Sequence, residues 1–122
     1  MKSVHKRVLW AVAIACMLAG TALAHHGWTG YDEKNTLTLT GTIREAGWDN
    51  PHGFVRLQVS GDKGKTWYCV LAPPSRMETR GLSKDMLKKG TTATVVGYPN
   101  LKDPNELRVE RITIGGKTTE LR

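Results

Sequence analysis

From residue 36 onward, apolar and polar residues alternate with a period of two. Leu37, Leu39, Gly41 and Ile43 fall on one side; Thr36, Thr38, Thr40, Thr42 and Arg44 fall on the other. This threonine-rich alternation predicts a half-buried strand. After the segment Trp48-Asp49-Asn50-Pro51-His52-Gly53, Val55, Leu57 and Val59 alternate with Phe54, Arg56 and Gln58, a second strand. A polar stretch with two glycines, residues 60–65, reads as a hairpin connection. Residues 66–72 form the third strand, with Tyr68 and Val70 opposed to Trp67, Cys69 and Leu71.

The period then breaks. Pro73-Pro74 stops the strand, and Ser75 followed by Glu78 has capping-box spacing, which predicts a short helix ended by Gly81. Ser83 heads a second short turn through Leu87, closed by Gly90. Alternation returns in residues 91–98 and 106–114, with a turn at Lys102-Asp103-Pro104-Asn105 between them. Gly115-Gly116 turns the chain into a final strand, residues 117–121.

Three strands, a helical interlude and two or three further strands predict a mainly β domain, an OB-fold-like barrel of five to six strands. Closure protects the edges of such short strands. Gly41, Gly47 and Gly97 lie inside or at the ends of strands, where a closing sheet must bend.

The first 24 residues follow a different pattern. Lys2, Lys6 and Arg7 precede an uncharged apolar run, and Ala22 and Ala24 supply small residues ahead of a cleavage point, the layout of a secretory signal. The run is too short for a span of about 20 residues, so no stable membrane anchor is expected after cleavage. The expected division is residues 1–24 as leader, 25–35 as an irregular segment and 36–122 as a single barrel domain in the periplasm or outside the cell. The leader would remove 24 of the 122 residues, leaving 98, and three of the 18 basic residues. That lowers the formal charge from +7 to +4 and weakens a nucleic-acid reading. Cys16 also goes, leaving Cys69, which reads as a small buried hydrophobe.

Cleavage after Ala24 would make His25 the first residue, with an α-amine and an imidazole able to chelate one metal ion. A further imidazole completes a three-nitrogen set suited to Cu(II). His52 is the preferred second arm and His26 the other candidate. This local feature resembles that of histidine-brace copper proteins. If the first and fourth strands pair antiparallel, the loop after Tyr98 brings Asp103 or Glu106 near as an oxygen donor. His52 lies at the far end of the first strand, so the segment before Asn35, at most ~35 Å long, must fold back to reach it. Trp28, Tyr31, Trp48 and Asn50 occupy irregular segments and are the candidate ligand-binding residues; the aromatics could equally form a lid on the barrel.

Other chemistry is thinner. The exposed face of the second and third strands offers Arg56 and Gln58, with Trp67 as an open third member, too few groups for single-strand binding. Arg76, Arg80, Lys84, Lys88 and Lys89 form a basic helical face for a protein partner in the envelope. No nucleophile–base pairing or phosphate loop is readable, so no catalytic residue is assigned.

His25-His26-Gly27-Trp28, Asn50-Pro51-His52, Ala72-Pro73-Pro74-Ser75-Arg76-Met77 and Val96-Gly97-Tyr98-Pro99 together resemble a family of small exported bacterial proteins grouped as a domain of unknown function. That resemblance implies an exported single-domain protein and no particular activity. The sequence therefore favours an exported binding protein that holds copper through its mature terminal histidine. The alternatives are a metal-free interaction module and a copper-dependent oxidoreductase.

Overall fold

The computed structural model describes residues 27–61 and 64–122. The expected leader, His25 and His26 lie outside the described residues. Six strands appear in chain order: β1 (Leu37–Gly47), β2 (Phe54–Val59), β3 (Thr66–Val70), β4 (Thr92–Pro99), β5 (Glu106–Ile114) and β6 (Lys117–Glu120). A helix, α1 (Pro74–Thr79), and a 3₁₀ turn (Lys84–Leu87) separate β3 from β4.

The strands order as β3-β2-β1-β4-β5-β6, and β3 also pairs with β5. That last pairing closes five strands into a barrel and leaves β6 as an extra strand on β5, an OB-like architecture. All neighbouring strands run antiparallel except the closing pair, which is parallel and matches Tyr68 with Glu106, Cys69 with Leu107 and Val70 with Arg108.

The alternation in the sequence is the alternation of the walls. Ile43, Val55, Leu57, Cys69, Val95, Leu107, Val109 and Ile112 point inward and are almost fully buried. At ~25 cal/mol per Å² of apolar surface, this core is the main source of stability. Trp67 is 7 % exposed and belongs to the core with Cys69 and Leu71, the side on which the alternation groups them. Its neighbour Tyr68 takes the outer face.

The helix starts without the expected capping box. Pro73 occupies the cap position and no side chain caps the helix. Pro74 stands in the first turn, where its missing N–H costs nothing and its fixed φ suits a helix. The end is as expected. Gly81 at φ +86° allows Leu82 N–H to donate to Met77 O (2.8 Å) and Gly81 N–H to Glu78 O (3.0 Å), a Schellman closure that buries Met77 and Leu82. Ser83 likewise makes no side-chain cap on the 3₁₀ turn.

Two glycines mark where the barrel bends. A Cβ on Gly41 would strike the Gln58 carbonyl and lie 3.0 Å from Val59 Cα. A Cβ on Gly97 would strike the Arg108 carbonyl and lie 3.0 Å from Val109 Cα. Gly97 also sits at the irregularity in the β4–β5 register, between Val96 and Gly97. The obstacle at both positions is backbone, which cannot rotate away.

Gly97→Ala should therefore destabilise the protein by about 1–3 kcal/mol, the usual cost of overpacking, with an unchanged urea m-value. Wild-type stability in that variant would refute the close strand approach.

Burial pushes the Cys69 thiol up to about 12. In a Cys16→Ser background, a thiol reagent at pH 8 should label Cys69 only as fast as the protein opens, and completely in denaturant. Equal labelling rates in the two conditions would place Cys69 outside the core.

Candidate functional site

The site is built around Arg108 on β5. Between the inward-pointing Leu107 and Val109, Arg108 projects from the opposite wall face, yet it is only 5 % exposed. Its cover comes from the irregular segment before β1. The Arg108 guanidinium lies 4.7 Å from the centre of the Trp28 ring, and Arg122 lies 4.3 Å from that ring. Tyr98, paired with Arg108 across β4–β5, meets Trp28 edge-on at 6.1 Å and 74°. Trp28 is thus held by two guanidinium groups and a tyrosine edge, favourable contacts for an electron-rich indole. Arg122 is itself held by Glu33 at 2.6 Å.

Tyr31 anchors the same segment. It forms an isolated bridge with Asn100, and Asp32 N–H donates to Pro99 O (2.9 Å). The Tyr31 hydroxyl donates to Glu106 Oε2 (2.8 Å), which also accepts from Asn100 Nδ2 (2.6 Å). Burial and this carboxylate push the Tyr31 phenol up to about 12, so it stays a donor. β1 and β4 do pair antiparallel, and Glu106 does lie beside the N-terminal segment. Its role there is to fix Tyr31.

His52 reaches this neighbourhood from the other side of the closure. Gly53 is locked into the strand-three extension by Gly53 N–H to Ala72 O (3.0 Å) and Leu71 N–H to Gly53 O (2.9 Å). Since Val70 pairs with Arg108, the His52 loop is delivered to the β5 wall. His52 is half-buried, and its imidazole is held below the ordinary value by burial first, then by the charges of Arg108 and Arg76. Loss of solvation also lowers Arg108, and its Nε has no hydrogen-bond partner. His52 does lie at the far end of β1, as expected, and the segment before β1 folds back onto β5, where Trp28 meets Arg108.

The other expected residues divide. Trp48 is not part of the Trp28–Tyr31 group: it packs against the core and lines a groove with Arg44, Lys84, Asp85, Leu87 and Lys88. Asn50 is exposed, before a cis bond to Pro51. The helix arginines do not form a free basic face. Arg76 Nη1 donates to Leu121 O (3.3 Å), and Arg80 Nη1 donates to Glu120 O and Arg122 O (both 2.8 Å). They fasten the C-terminal residues to α1. Among the described residues, no group of three or more His, Cys, Asp or Glu side chains is placed to hold a metal ion. No helix there is long and apolar enough to cross a membrane.

Sequence reasoning missed Arg108. Its one visible signal was the position of a basic residue inside a strand, with no hint of what would cover it.

The chain belongs to a family of unknown function, DUF6152, whose model matches residues 13–107. No curated protein matches it. Among solved structures it is similar to TiaS in complex with a tRNA and ATP, at 20% identity and a TM-score of 0.48, covering 75% of this chain and 19% of that one. It is also similar to a ZRD-deleted mutant of TiaS in complex with agmatine, at 20% identity and a TM-score of 0.49, covering 75% of this chain and 25% of that one. The chain spans a quarter or less of the length of these proteins.

The depressed His52 sets a sign for acid stability. The unfolded chain takes up a proton near 6.5, while the folded ring resists it until lower pH. Stability should therefore fall as pH drops below 6.5, through the window down to the folded value. His52→Gln should remove this component, read as the difference between the two melting-temperature profiles. Parallel profiles would show that the ring does not titrate differently on folding.

Proposed function

We propose that this member of a family of unknown function is an exported copper-binding protein of the periplasm, gripping the ion through the α-amine and ring of a mature N-terminal His25 and through His52. One observation supports the reading: Trp28 packs on the buried Arg108, and the charge of the same arginine is felt at His52. His26 and His25 precede Trp28 by two and three residues, tethers of at most ~7 and ~11 Å. The docked Trp28 thus tethers both histidines to the β5 wall on which it packs.

The state of His52 supports the same reading. A metal ligand must be neutral, and the two arginines oppose protonation of this ring. The same charges also oppose a cation, so affinity rests on the nitrogen bonds, and removing a charge should strengthen binding. Carriage or buffering accounts for the site with fewer elements than oxidation, which needs an identified substrate surface beside an open metal position. A metal-free interaction module is the second reading; it is favoured by the lysine-edged groove that Trp48 lines.

Intact mass of the protein recovered from the cell envelope should correspond to a chain starting at His25. Copper(II) titration should then show a loss of affinity of at least tenfold in both His25→Ala and His52→Ala. Arg76→Gln should bind copper several-fold more tightly, because it removes a nearby positive charge. Another starting residue, or binding indifferent to all three substitutions, would overturn the proposal.

A further inference from the structure

The outer face of β2 and β3 carries a separate constellation. Phe54 and Tyr68 lie diagonally across the strand pair, with ring centres 5.1 Å apart and planes tilted by 37°. Both are partly exposed and form a continuous aromatic floor. Arg56, directly opposite Tyr68, lays its guanidinium 5.1 Å from that ring and is braced by Glu45 at 3.0 Å.

The barrel closure supplies the rim. Parallel pairing of β3 with β5 brings up the preceding loop, so that Tyr68 N–H donates to Asn105 O (2.8 Å). Asp103 Oδ1 accepts from Asn105 N (2.8 Å), which sets the loop in place. Phe54, Arg56, Thr66, Tyr68, Asp103 and Asn105 then enclose a groove of about 530 Å³, a volume in the ~300–1,000 Å³ range of small-ligand sites. Among the described residues, the Tyr68 hydroxyl, the Thr66 hydroxyl and the Asn105 side-chain amide have no hydrogen-bond partner.

Charge decides what fits. A nucleic-acid strand needs cationic groups along its backbone together with the aromatic floor. Here the arginine that lines the groove is already paired with Glu45, the Asp103 carboxylate stands at the rim, and Lys65 is turned to Pro104 O (3.0 Å) and the Trp67 ring (3.8 Å). The floor asks for a ligand with a flat apolar face. The rim asks for one with neutral groups that both donate and accept, matched by hydroxyl, amide and carboxylate. A pyranose ring has both: C–H faces to stack on Phe54 and Tyr68, and equatorial hydroxyls for Tyr68, Asn105 and Asp103.

We infer that the groove of β2, β3 and the 103–105 loop binds a neutral oligosaccharide, stacked on Phe54 and Tyr68 and hydrogen-bonded at its edge by Asn105, Asp103 and Arg56. This site adjoins the His52 loop across the β2–β3–β5 register but includes none of the proposed copper ligands, so it does not depend on copper.

The test is an amide-resolved NMR titration of the purified protein in chelator, with cellohexaose and chitohexaose as probes and a ten-residue oligothymidine as control. Expected are saturable shifts, for at least one saccharide, confined to residues around Phe54, Arg56, Tyr68 and Asn105 and insensitive to 0.05–0.5 M salt (about a tenfold range). Tyr68→Phe and Asn105→Ala each remove one hydrogen-bonding group and should weaken binding roughly three- to tenfold without changing the melting temperature. Tyr68→Ala should abolish binding. Absence of saturation with both saccharides, shifts centred elsewhere, or salt-sensitive oligothymidine binding at the groove would overturn the inference. Because chelator is present throughout, neither result bears on the copper reading.

Discussion

Everything assigned to this molecule depends on the three-residue parallel ladder that joins β3 to β5. Tyr68, Cys69 and Val70 meet Glu106, Leu107 and Arg108, and the sheet becomes a closed wall. Parallel pairing is slightly weaker per residue than antiparallel pairing, so a short ladder of this kind needs support. Support comes from inside and from both ends. Cys69 and Leu107 are fully buried in the core, Tyr68 N–H reaches Asn105 O, and Leu71 continues the register onto Gly53. The ladder delivers the His52 loop to the wall where Trp28 docks, and it raises Asn105 and Asp103 to the rim of the aromatic groove. An open sheet with the same strands would have neither site.

Arg108 shows what the closure costs. A guanidinium taken out of water with an unpartnered Nε is destabilising unless other contacts replace its solvation. The replacements are the Trp28 face and the Tyr31 oxygen, both on the irregular segment. Those contacts exist only while the segment is docked. An apolar residue at this position would pack the wall without needing that segment. The arginine ties the order of residues 28–31 to the integrity of the barrel, and so fixes where the chain leading back to His26 and His25 begins.

Much of the fold was legible because strand periodicity records one binary fact, inside or outside, at each residue. Ile43, Val55, Leu57 and Cys69 obey it, and β5 begins and ends where its pattern does. Trp67 obeys it as well, on the side of Cys69 and Leu71, and packing settles the alternative that would have put so large an aromatic outside. The sites were less legible for a different reason. The Phe54–Tyr68 floor depends on a diagonal relation between strands, and the docking of Trp28 on Arg108 depends on a contact between residues far apart in the chain. Neither the floor nor this docking follows from alternation within a strand. Arg108 was hidden because its burial comes from outside the barrel. Leu107, Arg108 and Val109 are buried in succession, a run that alternation does not predict.

Burial first, and then the charges of Arg108 and Arg76, favour the neutral form of His52 and impose a compromise on any metal there. A histidine near its ordinary value becomes increasingly protonated as a compartment acidifies, and each proton competes with the metal. Arg108 and Arg76 shift that competition to lower pH, so the ring stays a ligand over a wider range. They also repel the incoming cation, with an energy that falls only as the inverse of distance in a given dielectric. The two effects have one origin but different reach. The proton binds directly to the ring nitrogen, whereas a metal ion would stand about 2 Å beyond it and share its charge with other ligands. On this argument the same charges make a histidine site less sensitive to acid and weaken its hold on a cation, two effects that cannot be separated at this position.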